Sequence, residues 1–169
     1  LRWSVEEGVG VRGGFSAAGG HALMGAAVRS GRFSFASLHL HLFGPGRLPR
    51  AEEALAKGLG VMAISPADKG GRLFDPPELL RQACAPLDPL PLAYRFLLAR
   101  GISTLTLGAA EPAELHWAGL TGGPLSELEQ AALERLHQQR QQRLGPEACG
   151  QCQACLPCPQ PVPIPDLPP

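Results

Sequence analysis

The sequence carries little charge, few aromatics and no long apolar run. Fifteen Lys and Arg residues balance fifteen Asp and Glu, and charged residues make up 18% of the 169. A net charge of zero excludes the clustered positive field on which nucleic-acid binding depends. The longest apolar stretch, 90–98, is interrupted by Tyr94 and Arg95 and falls short of the ~20 residues a bilayer span needs. No basic-then-apolar leader opens the chain, and residue 1 is Leu. A processed chain or a fragment is expected from that start.

Glycine and proline are abundant, at 21 and 18 residues, each about twice the usual share. Eight prolines crowd into 146–169, and four of the five cysteines fall within 149–158. Composition therefore breaks near Gly145. The sequence divides into an α/β part over 1–120, a connecting helix over 121–145 and a Cys/Pro-rich tail over 146–169.

Within the first part, short β-branched or apolar runs alternate with helical stretches. Val11–Phe15, Phe35–Phe43, Leu59–Ile64 and Ile102–Leu107 read as strands. Helices are expected over 21–30, from the turn holding Pro49 to Gly58, over 77–84, over 89–100 and from Pro112 to Leu120. Four such βα units imply a parallel sheet, either an open four-stranded α/β sheet or half of an eight-stranded barrel. Ser126 with Glu129 forms a capping box ahead of a helix to Leu144. Its expected apolar stripe is Leu125, Leu128, Ala132 and Leu136.

Three glycine-rich segments follow strand ends: 14–20, 65–71 and 108–112. In a parallel α/β protein such loops share one face, where helix N-termini offer N–H groups to anions. His39 and His41 lie two apart, on one side of a strand. With no third ligand near in sequence, hydrogen bonding suits them better than metal binding. Gly8-x-Gly10-x-x-Gly13 precedes a strand instead of following one, the wrong context for a dinucleotide fingerprint.

Cys149, Cys152, Cys155 and Cys158 stand at successive x₂ spacing, followed by Pro159. Three thiolates so spaced let a short curled backbone surround a cubane. The related C-x₂-C-x₂-C-x₃-C-P run of iron–sulfur proteins sends its last Cys to a second cluster; here a [4Fe–4S] cluster would take Cys158 as its fourth ligand locally. Zinc normally uses two knuckles separated by a longer loop, and a disulfide pair suits a secreted chain. Both remain as alternatives to iron–sulfur ligation in a reducing cytoplasm. Cys84, in an apolar helical stretch, reads as a buried small hydrophobe.

Together, Ser65-Pro-Ala-Asp-Lys-Gly-Gly-Arg-Leu73, Leu105-Thr-Leu-Gly-Ala-Ala-Glu-Pro112 and the cysteine tail resemble the C-terminal part of the aldo/keto reductase family. The tail is similar to that of the subgroup with a terminal ferredoxin-like [4Fe–4S] segment. Gly14-Phe15-Ser16 resembles the family's fifth-strand turn and Leu38-His39-Leu40-His41 its sixth strand. The resemblance implies strands five to eight of a (β/α)₈ barrel, an NAD(P)H-dependent oxidoreductase, a small carbonyl or alcohol substrate and a possible redox partner protein. It implies that Ser65, Pro66, Lys69 and Gly70 embrace the cofactor pyrophosphate, and that Gly108 and Ala109 approach the adenosine phosphate. Where the family usually has Ser-Lys, this chain has Ala110-Glu111, which opposes a 2′-phosphate. The family's Tyr general acid and its Asp, Lys and His partners lie on the first four units. The single tyrosine, Tyr94, is mid-helix and does not match it, so no catalytic residue is expected in this chain.

Overall fold

The structure, a computed structural model, describes residues 12–17, 20–68, 70–109 and 111–145. Four strands, β1 (Gly14–Ala17), β2 (Phe35–His39), β3 (Gly60–Ile64) and β4 (Thr104–Leu105), form one sheet in the order β1-β2-β3-β4. Every pairing is parallel, with Phe35 opposite both Gly14 and Gly60, and Met62 opposite Thr104. Parallel neighbours need crossover connections, and these hold α1 (His21–Arg29), α2 (Leu48–Ala56), α3 (Glu78–Cys84) and α4 (Pro89–Leu98). A last helix, α5 (Glu127–Leu144), follows a 3-10 run over Pro112–Gly119.

Alternation along the strands decides where the core sits. Ala36, Leu38, Val61 and Ala63 point to one face and are buried. They pack with Met24 and Val28 of α1, Leu48, Ala51 and Ala54 of α2, and Phe96 and Leu97 of α4. The helices of consecutive crossovers therefore lie on the same face. Crossovers of one hand between strands laid down in sequence require this. The opposite face carries Ser16, Phe35, Met62, Ile64 and Thr104, none of them fully buried, with Phe35 40% exposed. Its Gly14 has no Cβ because the Phe35 ring occupies that space, 2.3 Å from where the atom would stand.

Several elements are shorter than their sequence pattern. Strand β2 ends at His39 instead of Phe43, because Leu42 and Phe43 turn away to pack under the β3–α3 loop. Strand β4 keeps two residues, although Ser103 and Thr106 still donate backbone hydrogen bonds to Val61 and Ala63 at 3.0 and 2.9 Å. The stretch from Pro112 winds as a 3-10 helix, and none of its side chains is buried. Without an apolar stripe to bury, it lacks the tertiary packing that sustains an α-helix.

Helix α5 starts as expected, with Ser126 accepting from the Glu129 N–H and Glu129 accepting from the Ser126 N–H at 3.2 and 2.7 Å. Its stripe is rotated from the expected one. Leu128 is 58% exposed, while Ala132, Leu133 and Leu136 face Cys84 and Leu92. Arg95 fixes this orientation by donating to Glu129 Oε1 at 2.8 Å and to the carbonyls of Thr121 and Pro124. Arg135 adds a second anchor, donating to the carbonyls of Ala83 and Ala85 at 3.0 and 2.7 Å. Among the described residues, no helix is long and apolar enough to cross a membrane.

Candidate functional site at the strand exits

The C-terminal ends of parallel strands gather their exit loops on one side. Here those loops belong to β2, β3 and β4, and the expected residues Ser65, Pro66, Gly70, Gly108 and Ala109 all lie in them. Ser65 is half-buried, Pro66 buried, and Gly70, Gly108 and Ala109 exposed. Lys69 lies outside the described residues, as do Cys149, Cys152, Cys155 and Cys158 and the whole 146–169 tail.

The β3 exit is the most constrained segment. Ser65 has φ 56° and Asp68 φ 68°, followed by Gly70 at 86° and Gly71 at 70°. A left-handed backbone is ordinary for glycine, whereas each non-glycine residue held there costs about 1–3 kcal/mol. The last residue of β2 and the segment just beyond it lie against these positions. His39 Nδ1 lies 3.1 Å from Ser65 Oγ, and His41 Nδ1 lies 3.3 Å from Asp68 Oδ1. His41 is buried, at 4% exposure. The two histidines of the H-x-H spacing thus each stand against one of the two left-handed residues, His39 through a hydrogen bond to Ser65 and His41 through a contact with the Asp68 carboxylate. Among the described residues no set of three His, Cys, Asp or Glu side chains is arranged for a metal.

The β3 and β4 exits are joined by Phe74. A Cβ on Gly71 would stand 3.0 Å from its ring, and one on Gly108 would stand 3.2 Å away. The two glycines let the ring lie close against both loops, and Phe74 remains 46% exposed. Sequence reasoning missed this bridge, because nothing local marks Phe74 as a neighbour of Gly108. It also missed Asp68 as an individual, and Arg47, a cation at 7% exposure in the β2–α2 connection. Burial pushes the Arg47 guanidinium below its usual range.

Beneath the loops lies a second apolar layer of Ala67, Leu73, Ala93 and Tyr94, flanked by Leu107 and Trp117. Tyr94 is fully buried, and its hydroxyl has no hydrogen-bond partner among the described residues. Burial, with a smaller push from Glu114, raises its pKa. A phenol sealed in this way cannot meet a substrate, as its mid-helix position implies.

Chemically, the site offers the Ser65 hydroxyl and the exposed backbone of Gly70, Gly108 and Ala109, groups that suit a phosphate or pyrophosphate oxygen. Cys84 packs as a small hydrophobe: it is fully buried, and burial pushes its thiol pKa up to about 11. No family model matches the chain, and neither a curated protein nor a solved structure matches it.

Proposed function

We propose that this chain is the cofactor-side portion of an aldo/keto-reductase-like iron–sulfur oxidoreductase, acting with NAD(P)H on a small carbonyl or alcohol. The observation that carries the reading is the singly wound sheet. Strands in the order β1-β2-β3-β4, with the packed helices on one face, are what half of a (β/α)₈ barrel requires. A doubly wound sheet would reverse its strand order and cover both faces. The face against which no described helix packs would then be the barrel interior, and the strand-exit loops its mouth.

The residues present fit the dinucleotide by their chemistry. Gly70 has open space where a side chain would stand, so backbone can approach a pyrophosphate closely, and the Ser65 hydroxyl is held in place beside it. Gly108 and Ala109 are exposed for the adenosine end, where Glu111 disfavours a 2′-phosphate. Four thiolates at x₂ spacing suit a [4Fe–4S] cluster held by Cys149, Cys152, Cys155 and Cys158. The dinucleotide supplies hydride chemistry and the cluster one-electron chemistry. This chain's own residues bind and orient, and the proton donor belongs to units outside it.

Anaerobic purification tests the reading. Iron and acid-labile sulfide should each approach about four per chain, with the broad visible absorption of a brown protein. Cys152→Ala should bleach that absorption, and Cys84→Ala should leave it intact. A colourless protein with one zinc and no sulfide overturns the iron–sulfur assignment. A cluster without any dinucleotide binding would instead favour a non-catalytic electron-transfer or structural module on an α/β scaffold.

A further inference from the structure

Two features of Ser65 are unexplained by folding alone. It occupies a left-handed backbone position, φ 56°, that glycine would take without strain. Its hydroxyl is also held 3.1 Å from the ring of His39, 26 residues earlier on the neighbouring strand. A strained serine whose side chain is gripped from across the sheet is a hydroxyl kept in a fixed direction. Three residues later the same loop places the left-handed Asp68 with Oδ1 3.3 Å from His41 Nδ1.

We infer that His39 is a positioning residue whose ring Nδ1–H donates to Ser65 Oγ, leaving the serine O–H to donate to a phosphate oxygen of the bound ligand. This rests on the proposed pyrophosphate role of the β3 exit loop and names the residue that sets its polarity. A serine hydroxyl has one proton and two lone pairs. If the ring nitrogen accepted, the serine proton would be spent on His39 and its lone pairs would face the anion. With the ring donating, the pair forms a one-way relay, from Nδ1–H to Oγ and from O–H to phosphate. Anion binding therefore selects the Nδ1–H form of the imidazole. Asp68, the other left-handed non-glycine residue of the loop, lies against His41 at 3.3 Å.

Calorimetric titration of the full chain with inorganic pyrophosphate, and separately with NADH, tests the relay. Ser65→Ala should weaken pyrophosphate about tenfold, the loss expected for one hydrogen bond to a charged group. His39→Leu should weaken it to a similar extent. His39→Asn places an amide N–H near the former Nδ1 and should restore affinity to within about threefold of the parent. The double variant Ser65→Ala/His39→Leu should be no weaker than either single, because both remove the same relay. Equal weakening by Asn and Leu, or additive losses in the double variant, overturns the positioning role while the anion site stands. Should His39→Leu fail to fold, the comparison of His39→Asn with Ser65→Ala still decides: an Asn variant as weak as the Ala variant overturns the relay. A parent chain that binds neither pyrophosphate nor NADH overturns the loop's proposed role and the relay with it.

Discussion

At the scale of single residues, burial decides which chemically capable groups are available. Tyr94 has the only phenol in the chain, yet it is sealed under the β3 exit loop with no partner for its hydroxyl among the described residues. A buried hydroxyl without a partner costs about 1–3 kcal/mol. Tyr94→Phe should therefore leave thermal stability unchanged or raise it by a few degrees, read by calorimetry; a marked drop would reveal a hydrogen bond to that hydroxyl. Cys84 shows the same principle for a thiol. With its pKa pushed up to about 11, it holds almost no thiolate at neutral pH, and the thiolate is the reactive form. In a variant with Cys149, Cys152, Cys155 and Cys158 replaced by Ser, Cys84 should resist thiol reagents until the protein is unfolded by denaturant. Rapid labelling of the native variant would contradict its burial.

At the scale of elements, the α5 helix shows how a polar contact can choose a helix face. Leu125 and Leu128 continue an apolar stripe in sequence, but the Arg95–Glu129 pair and the Arg135 anchor turn the helix so that Ala132 and Leu133 face the core. Each side chain of the Arg95–Glu129 pair is about 15% exposed, so the pair is screened less than a surface one. The Arg95 hydrogen bond, aided by the Ser126 cap, holds the Glu129 carboxyl below the usual carboxylate range against an opposing push from burial. A depressed folded-state pKa contributes stability that is fully present above the unfolded value, about 4.3, and is lost as pH falls through the folded value. Glu129→Gln should cost about 1–3 kcal/mol at neutral pH. The gap in melting temperature between parent and variant should close as pH falls below about 4. A gap that does not narrow at all below about pH 4 would show that the stabilisation is not ionic.

At the scale of the whole molecule, the described helices pack on one face of the sheet. On the other face Phe35, Met62 and Ile64 keep partial exposure, and among the described residues β1 and β4 have no further strand beside them. Open edges and apolar faces favour association. The isolated chain should therefore self-associate, seen as a concentration-dependent mass in sedimentation. A monodisperse, cooperatively melting monomer would mark a complete four-stranded domain and remove the half-barrel reading. General acid catalysis needs a donor within hydrogen-bond reach of the substrate, and the resemblance assigns that donor to units outside this sequence. The purified chain alone should then show no carbonyl reduction with NADH or NADPH above a buffer control; measurable turnover by it would sink the half-barrel assignment.

The alternation of apolar runs with glycine- and proline-bounded helices determined the parallel α/β class by itself, because these signals are local. The strands over 35–39 and 60–64 and the helices beginning at His21, Pro89 and Glu127 follow from periodicity, proline at a first turn and a capping box. The cysteine spacing is equally local and stands in the sequence whatever the fold. Only tertiary structure decided that Leu128 faces solvent, that Pro112–Gly119 winds as a 3-10 helix, and that Phe74 spans Gly71 and Gly108. Each outcome depends on packing partners tens of residues away. The pairing of His39 with Ser65 and His41 with Asp68 belongs to the same group. The H-x-H spacing announced two side chains on one side of a strand, but β2 ends at His39 and leaves His41 beyond it, and the partner of His39 is set by the register of β2 on β3. That register is fixed by burying Ala36, Leu38, Val61 and Ala63 together, a choice no single segment makes.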